Sequence, residues 1–469
     1  MMFSQLLFPA LFGLSALVAV LTTKRYTLGV LLAGPLFWSM ATVAVLLSRP
    51  FSVDAWIVLV VAFLLIIVGL GFYQKEPKRL LGAFLAASAT FIVSATLELV
   101  VRYFGIGAVS FGDSSTILAN SGVIADGGSP FLGLFVSLKR SIATASVHSV
   151  AFVNFEYFVA YHPALFILGL LAVVLIGRKL IANNTVFYVY AAGVLAISIS
   201  TEAILRHMFF INSHSGFMLL VAILILVFLS RESATLKTRI SIYLIVAAAL
   251  LRPDYAAIMF ALTLIALKRN SIRPSTQELT ILTVFGVLLS IVPAILLGAA
   301  ESAQEILVTL LISIFISGVI FVLARVFLSL QFTNAQMVVY STWTLIGLLL
   351  TGFMAQDGKL ALVTNFFIFE GLWGFTFYLF TATVLIAVGL RGRDERLSQM
   401  LEVTLVLFTL MLIVKVGDGL LSDNPGFGLG RVGWGDSVNR IAVAAVPAFF
   451  ALIARLAHLF IDDKEEAKK

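Results

Sequence analysis

Four short stretches hold residues that could do chemistry in a chain where charge is scarce. In GDSSTILANSGVIADGG, residues 112–128, Asp113 precedes a run with a helical pattern and Asp126 sits in a DGG turn sequence. A carboxylate at the mouth of a cavity can act as a general base towards an incoming hydroxyl. The same carboxylate can simply cap a helix by accepting from its free N–H groups, and Asp126 also suits a turn. In LRPDYAA, Arg252 and Asp254 flank a proline, where a helix must stop and restart. They can pair with each other, or Arg252 can offer its planar fork of donors to a phosphate.

The stretch ILRHMFFINSHSG, residues 204–216, brings Arg206, His207 and His214 together just after Glu202. Glu202 and Arg206 are spaced for a salt bridge on one helix face. The two histidines lack HExxH spacing and have no cysteine partners, so no metal-ligand set is assigned. Hydrogen bonding to a lipid phosphate suits them better. In WGDSVNRIAVAAVP, residues 434–447, Asp436, Asn439 and Arg440 stand against the start of an apolar helix. Asp436 or Ser437 could cap that helix while Arg440 snorkels outward. An arginine in a first helical turn nevertheless faces the positive end of the helix dipole, and a phosphate there would offset the conflict.

These groups must be positioned by membrane helices. Of 469 residues, 61% are hydrophobic and only 12% charged, and the mean hydropathy is +1.09. A soluble domain could not hide that much apolar surface, so the chain is expected to be an all-α polytopic membrane protein forming one transmembrane domain over residues 1–469. Met1 to Thr23 lacks the basic start and small-residue cleavage site of a signal peptide and is expected to stay as the first span. The absence of cysteine excludes disulfides and thiolate chemistry.

Apolar runs between polar breaks predict about fifteen spans, some short or broken. Of the 31 Lys and Arg residues, 21 fall on or nearest one face, at breaks such as QKEPKR (74–79), KRNSIR (268–273) and RGRDER (391–396). The positive-inside rule then places the N-terminus outside and the tail, residues 461–469, in the cytoplasm. The net charge of +7 is accounted for by topology, and nucleic acid is not an expected partner. The outer side carries a long loop, residues 103–162, expected to hold amphipathic helices, and a second loop, residues 417–440. Within the first, Lys139 and Arg140 suit an interfacial helix touching anionic headgroups.

Span length adds a further expectation. Ile240–Leu251, Tyr255–Leu267 and Gly216–Leu229 are each about 12 to 14 residues, or roughly 18–21 Å of helix, too short for a hydrocarbon core of about 30 Å. The Arg252–Asp254 turn and His214 are therefore expected to lie below the outer surface, lining a polar cavity. Leu360–Leu390 reads as one long span and Ile441–Phe460 as the last.

This layout resembles the type-C (GT-C) superfamily of integral membrane glycosyltransferases. Three features carry the resemblance: an acid in a long outer loop, Asp113; an RPD turn between two short helices, residues 252–254; and a late helix opening with Arg440 and followed by Pro447. The resemblance implies transfer of a sugar from a polyprenyl-phosphate donor to a lipid-linked glycan or other envelope acceptor, with the active site on the periplasmic or extracellular face of a bacterial inner or plasma membrane. It implies direct displacement with inversion and no obligatory cofactor, some members using a divalent metal and others not. On that reading the catalytic candidates are Asp113 and Asp126, and the donor phosphate meets Arg440, Arg252, Arg206 and His207. Asp254, His214, Glu202, Asp436 and Asn439 line the cavity, and membrane lipids surround it. Two other functions stay open: an O-antigen or polysaccharide polymerase or ligase, with which NPGFGLGRVG (424–433) is compatible, and a lipid or solute transporter. Polar groups clustered on one face and the lack of a visible repeat weigh against transport.

Overall fold

The computed structural model describes residues 2–73, 77–104, 113–128, 141–151, 158–299, 303–353, 356–420 and 440–462. Every regular element among them is helical. Four long helices come first: α1 (Met2–Thr23), α2 (Tyr26–Phe51), α3 (Ala55–Tyr73) and α4 (Pro77–Tyr103). The long loop contributes α5 (Asp113–Ala125) and α6 (Ile142–Ala151). Then follow α7 (Tyr161–Leu180), α8 (Asn184–Ser200), the short α9 (Glu202–Leu205) with its 3₁₀ continuation Arg206–Met208, and α10 (His214–Leu229). The chain goes on through α11 (Ala234–Leu251), α12 (Pro253–Arg269), α13 (Thr276–Ala299), α14 (Ala303–Ser329) and α15 (Phe332–Phe353). It ends with α16 (Gln356–Phe367), α17 (Phe375–Leu390), α18 (Glu395–Leu420), a 3₁₀ turn (Ala442–Ala445) and α19 (Val446–Ala457).

Among the described residues, nine helices are long and apolar enough to cross a membrane, or ten if α8 and α9, bent by 82° at Thr201, count as one broken span. This is an all-helical, multi-pass membrane protein. Several expected spans correspond to shorter helices, α10 and α17 among them. Two expectations need correction. The run Leu360–Leu390 is not one span: α16 and α17 are separated by residues 368–374, where Phe369, Leu372 and Gly374 all take positive φ. The helices around Arg252 are also longer than their apolar runs, with 18 residues in α11 and 17 in α12. At 1.5 Å per residue each reaches about 26 Å, so shortness does not by itself sink the turn between them. The extra turn of α11 runs through Lys237, which is buried and donates from Nζ to the Phe228 carbonyl at 3.2 Å.

The core forms around α10, of whose sixteen residues only Leu229 is not buried. It packs against α7, α2, α11, α12 and α19. Lipid is as apolar as leucine, so close packing and buried hydrogen bonds, rather than transfer from water, hold such helices together. Gly29 shows the closeness: a Cβ there would lie 2.5–2.7 Å from atoms of Val20, backbone included, so α1 and α2 touch only because Gly29 has none. Phe8, Phe37, Phe158 and Tyr161 join α1, α2 and the start of α7 through ring contacts of 5.4–6.3 Å between centroids. By contrast α6, expected to be amphipathic, is buried along all ten residues. Its sequence IATASVHSVA has no charged face to turn outward. Lys139 and Arg140, with most of the 417–440 loop and residues 463–469, lie outside the described residues.

Candidate functional site

The Arg252–Asp254 turn is built by Pro253. Arg252 takes an extended conformation (φ −163°, ψ 140°) between α11 and α12, and Pro253 opens α12, where its missing N–H has no carbonyl to serve. Arg252 is buried. It donates from Nε to Asp254 Oδ1 at 3.0 Å and from Nη2 to Oδ2 at 2.7 Å, the two-pronged geometry that favours arginine over lysine. The Asp254 side chain keeps 39% of its exposure against 9% for Arg252, so the pair runs from the interior to an open side. Pairing is what residue spacing allowed, and it is the arrangement the structure adopts.

Tyr255, the next residue, is the hub of the site. It is fully buried and stacks on Phe217 of α10 with centroids 3.9 Å apart and planes 12° off parallel. Its hydroxyl lies 2.6 Å from His214 Nδ1. The Arg252 guanidinium sits 4.8 Å from the centre of its ring. His214 is held from the other side by its own N–H, which donates to Asn212 Oδ1 at 2.8 Å. Gly216 lets this end of α10 meet Leu251 and Trp38, since a Cβ would stand 2.9 Å from a Leu251 methyl.

Arg440 reaches the same place from the far end of the chain. Its guanidinium lies 5.6 Å from the centre of the Phe210 ring, and its charge acts on both His207 and Tyr255. The ring face offers Arg440 a partner, because an aromatic quadrupole attracts a cation much as an anion would. His207 is buried and meets His214 edge to face, with centroids 5.6 Å apart and planes at 88°. Ser215 Oγ donates to the His207 carbonyl at 2.7 Å and fixes the loop between them. Arg440 and Ile441 are α-helical, the 3₁₀ turn 442–445 follows, and α19 continues from it with Pro447 in its first turn.

The long loop touches this cluster too. Ser114 Oγ, buried in the first turn of α5, donates to the Ile211 carbonyl at 3.0 Å. Asp113 is therefore one residue from a direct link to the Phe210–His214 loop, although its side chain lies outside the described part of the structure. Asp126 is at the other end of α5, roughly 20 Å away by helix rise, exposed and in a turn with Gly127 at φ +92°. One substrate atom cannot face both acids. Glu202 and Arg206 form an exposed pair, Nε to Oε1 at 2.9 Å, so Arg206 turns its fork to the surface. Asp436 and Asn439 lie outside the described residues.

An apolar groove of about 310 Å³ opens beside the same helix start. Its lining includes Phe366, Trp373, Phe380, Phe408 and Phe449, and Ala442, two residues beyond Arg440. The break 368–374 shapes it: Ala203 N–H donates to the Leu372 carbonyl at 3.1 Å and the Thr201 and Thr376 hydroxyls meet at 2.6 Å. Residue reading from sequence passed over Tyr255, Phe210 and Ser114. Tyr255 adjoins the RPD turn, but nothing local marks it as the point where three segments meet.

Away from this cluster, His148 on α6 has its Nε2 3.3 Å from Nε2 of His162. Burial pushes the His148 imidazole down to about 3, so it is neutral at ordinary pH. Among the described residues no group of three or more His, Asp or Glu side chains could hold a metal ion. No protein-family model, curated protein or solved structure matches the chain.

Proposed function

We propose that the chain is an integral membrane glycosyltransferase of the type-C layout, using a polyprenyl-phosphate sugar donor at the face where Arg252 and Arg440 flank the Phe210–His214 loop and Tyr255. The observation that carries this reading is that two arginines far apart in sequence lie against one patch, Arg252 4.8 Å from the Tyr255 ring and Arg440 5.6 Å from the Phe210 ring, while α5, opened by Asp113, bonds to the Phe210–His214 loop. Two cations, two histidines and an acid supplied by four segments are what a phosphate leaving group and a hydroxyl acceptor need. The acceptor oxygen attacks the anomeric carbon, the carbon–phosphate-oxygen bond breaks, and the charge left on the phosphate is met by Arg440 and Arg252. Asp113 takes the acceptor's proton. The groove beside Ala442 suits the donor's polyprenyl chain, being apolar and adjoining the proposed phosphate ligand. On this reading the fifteen helices α1–α4, α7, α8, α10–α15 and α17–α19 alternate in direction, and the cluster lies on the periplasmic or extracellular side of a bacterial membrane.

One observation favours transport instead: the breaks at Thr201 and Leu372 are bonded to each other, as discontinuous helices in transporters can be. Thr201, however, follows all 17 residues of α8, so this junction stands at a helix end rather than midway along it. The deciding experiment gives the purified full chain a panel of radiolabelled polyprenyl-phosphate sugars and assays release or transfer of the sugar. Turnover that Arg440→Ala reduces at least about a hundredfold supports the reading. Turnover equal in wild type and Arg440→Ala, or flux of intact lipid-linked sugar across liposomes without turnover, overturns it.

A further inference from the structure

The opposite end of α12 carries a second cluster of cations, one that the sugar-transfer reading does not use. Lys268 is about 24 Å along the helix from Arg252 by helix rise. The connection that follows is fixed at both ends. The N–H of Ser271, at φ +52°, donates to the Lys268 carbonyl at 3.1 Å, and Ile272 N–H donates to the Leu267 carbonyl at 2.9 Å. This is the double bond of a Schellman ending, with Ile272 buried against the helix as its apolar partner. Three residues later Ser275 and Glu278 bond reciprocally: Ser275 N–H to Glu278 Oε2 at 2.9 Å, and Glu278 N–H to Ser275 Oγ at 3.2 Å. That capping box opens α13 and commits Glu278 Oε2 to Ser275. Arg273 is thus held on a short, pinned connection.

Lys268 in turn anchors the end of α14. Its Nζ donates to the Leu328 carbonyl at 2.9 Å and to that of Leu330. Arg325 lies one turn before this end. Between the connection and α14 is a groove of about 510 Å³ lined by Arg273, Arg325, Pro274, Thr276, Phe321 and Leu328, among others. Both arginines are exposed, and neither forms an ion pair among the described residues. Arg273 is also close enough to Lys268 for the two charges to repel. Like charges gathered on pinned backbone cost free energy unless an anion offsets them, and arginine forks match phosphate oxygens.

We propose that this groove binds the phosphate of an anionic phospholipid headgroup, held between Arg273 and Arg325 with its acyl chains leaving past Phe321 and Leu328. The lipid is chosen over free phosphate because half of the lining is apolar and the exposed faces of α14 beside it, such as Val322 and Leu323, are of the kind that meet lipid. The site is independent of sugar transfer, so it stands or falls separately.

The test uses the full chain in a neutral detergent, titrated with phosphatidylglycerol, phosphatidylcholine or inorganic phosphate and read by native mass spectrometry. Phosphatidylglycerol is expected to be retained preferentially, and its apparent affinity to fall about tenfold in R273Q/R325Q. Arg325→Gln alone, at an exposed side chain with no ion pair to lose, is expected to cost several-fold without disturbing the fold. R273K/R325K, which keeps charge but not the forks, should fall between. Retention of phosphatidylglycerol unchanged in Arg325→Gln and the double variant overturns the proposal. So does inorganic phosphate that binds the wild type and displaces the lipid at equal concentration, because the site would then be one for a free anion.

Discussion

His214 Nδ1 lies 2.6 Å from the Tyr255 hydroxyl, and this one hydrogen bond fastens the head of α10 to the first turn of α12. Both side chains are buried, so the bond has no water to replace it. Tyr255→Phe keeps the ring stacked on Phe217 but leaves a buried ring nitrogen of His214 without this partner. The expected loss is about 1–3 kcal/mol, the cost of stranding a buried polar group. Thermal unfolding of the detergent-solubilised variant checks it. An unchanged midpoint would mean that the hydroxyl contributes nothing to holding the two helices.

The two acids flanking α5 should behave differently. Asp113 adjoins Ser114, which bonds to the Phe210–His214 loop, whereas Asp126 is exposed at the far end of the helix. Asp113→Asn is expected to lower sugar transfer by about 10²–10⁴-fold, as loss of a general base does, while leaving donor affinity within a few-fold. Asp126→Asn should alter neither. Steady-state rates and donor titration on both variants separate the two positions, and equal losses in both would remove Asp113 from the proposed mechanism.

Arg269 of α12 and Glu402 of α18 form a deeply buried pair, Nε to Oε2 at 2.7 Å, with Nη2 also bonded to Glu402 Oε1 and to Ser398. Removing one charge strands the other. Glu402→Ala and Arg269→Ala are each expected to cost about 3–5 kcal/mol, and a double change to apolar residues of similar volume, R269M/E402L, far less. The measurement is a thermal or denaturant midpoint for each single and the double variant. Additive losses would show that the pair is not coupled.

The turn at Arg252 was legible because proline permits few alternatives: a helix must end before Pro253, and a new one can begin with it. Pairing with Asp254 was one of the two readings that the spacing left open, and it is the one adopted. Helix lengths were misjudged at Lys237, since a charged residue was taken as the end of a span. In fact its stem runs along the bundle and its ammonium finds the Phe228 carbonyl. The break inside residues 360–390 was written in EGLWGF, where Glu370 interrupts the apolar run and Gly374 takes φ +52°, but the apolar residues on either side outweighed it. The site itself was legible only as separate pieces. Arg252, His214 and Arg440 could each be picked out by being polar in an apolar chain. That they meet around Tyr255 depends on how α10, α12 and the last helix pack, which no local pattern encodes.

His148 gives the fold a pH dependence of definite sign. It is buried beside His162, and burial moves its pKa from 6.5 down to about 3. Above pH 6.5 it is neutral in both the folded and the unfolded chain, so it has no effect there. Between pH 6.5 and about 3 the unfolded chain takes up a proton at this position that the folded chain refuses. Stability must then fall as the pH falls, by up to about 1.4 kcal/mol for each pH unit. At pH 5 the contribution of this residue is a loss of about 2 kcal/mol relative to pH 7.5. His148→Gln, similar in polarity but not titratable, should flatten that part of the profile. Thermal midpoints of wild type and variant, taken from pH 7.5 to pH 5, measure the difference. Parallel curves would mean that His148 takes up its proton in the folded chain as readily as in the unfolded one.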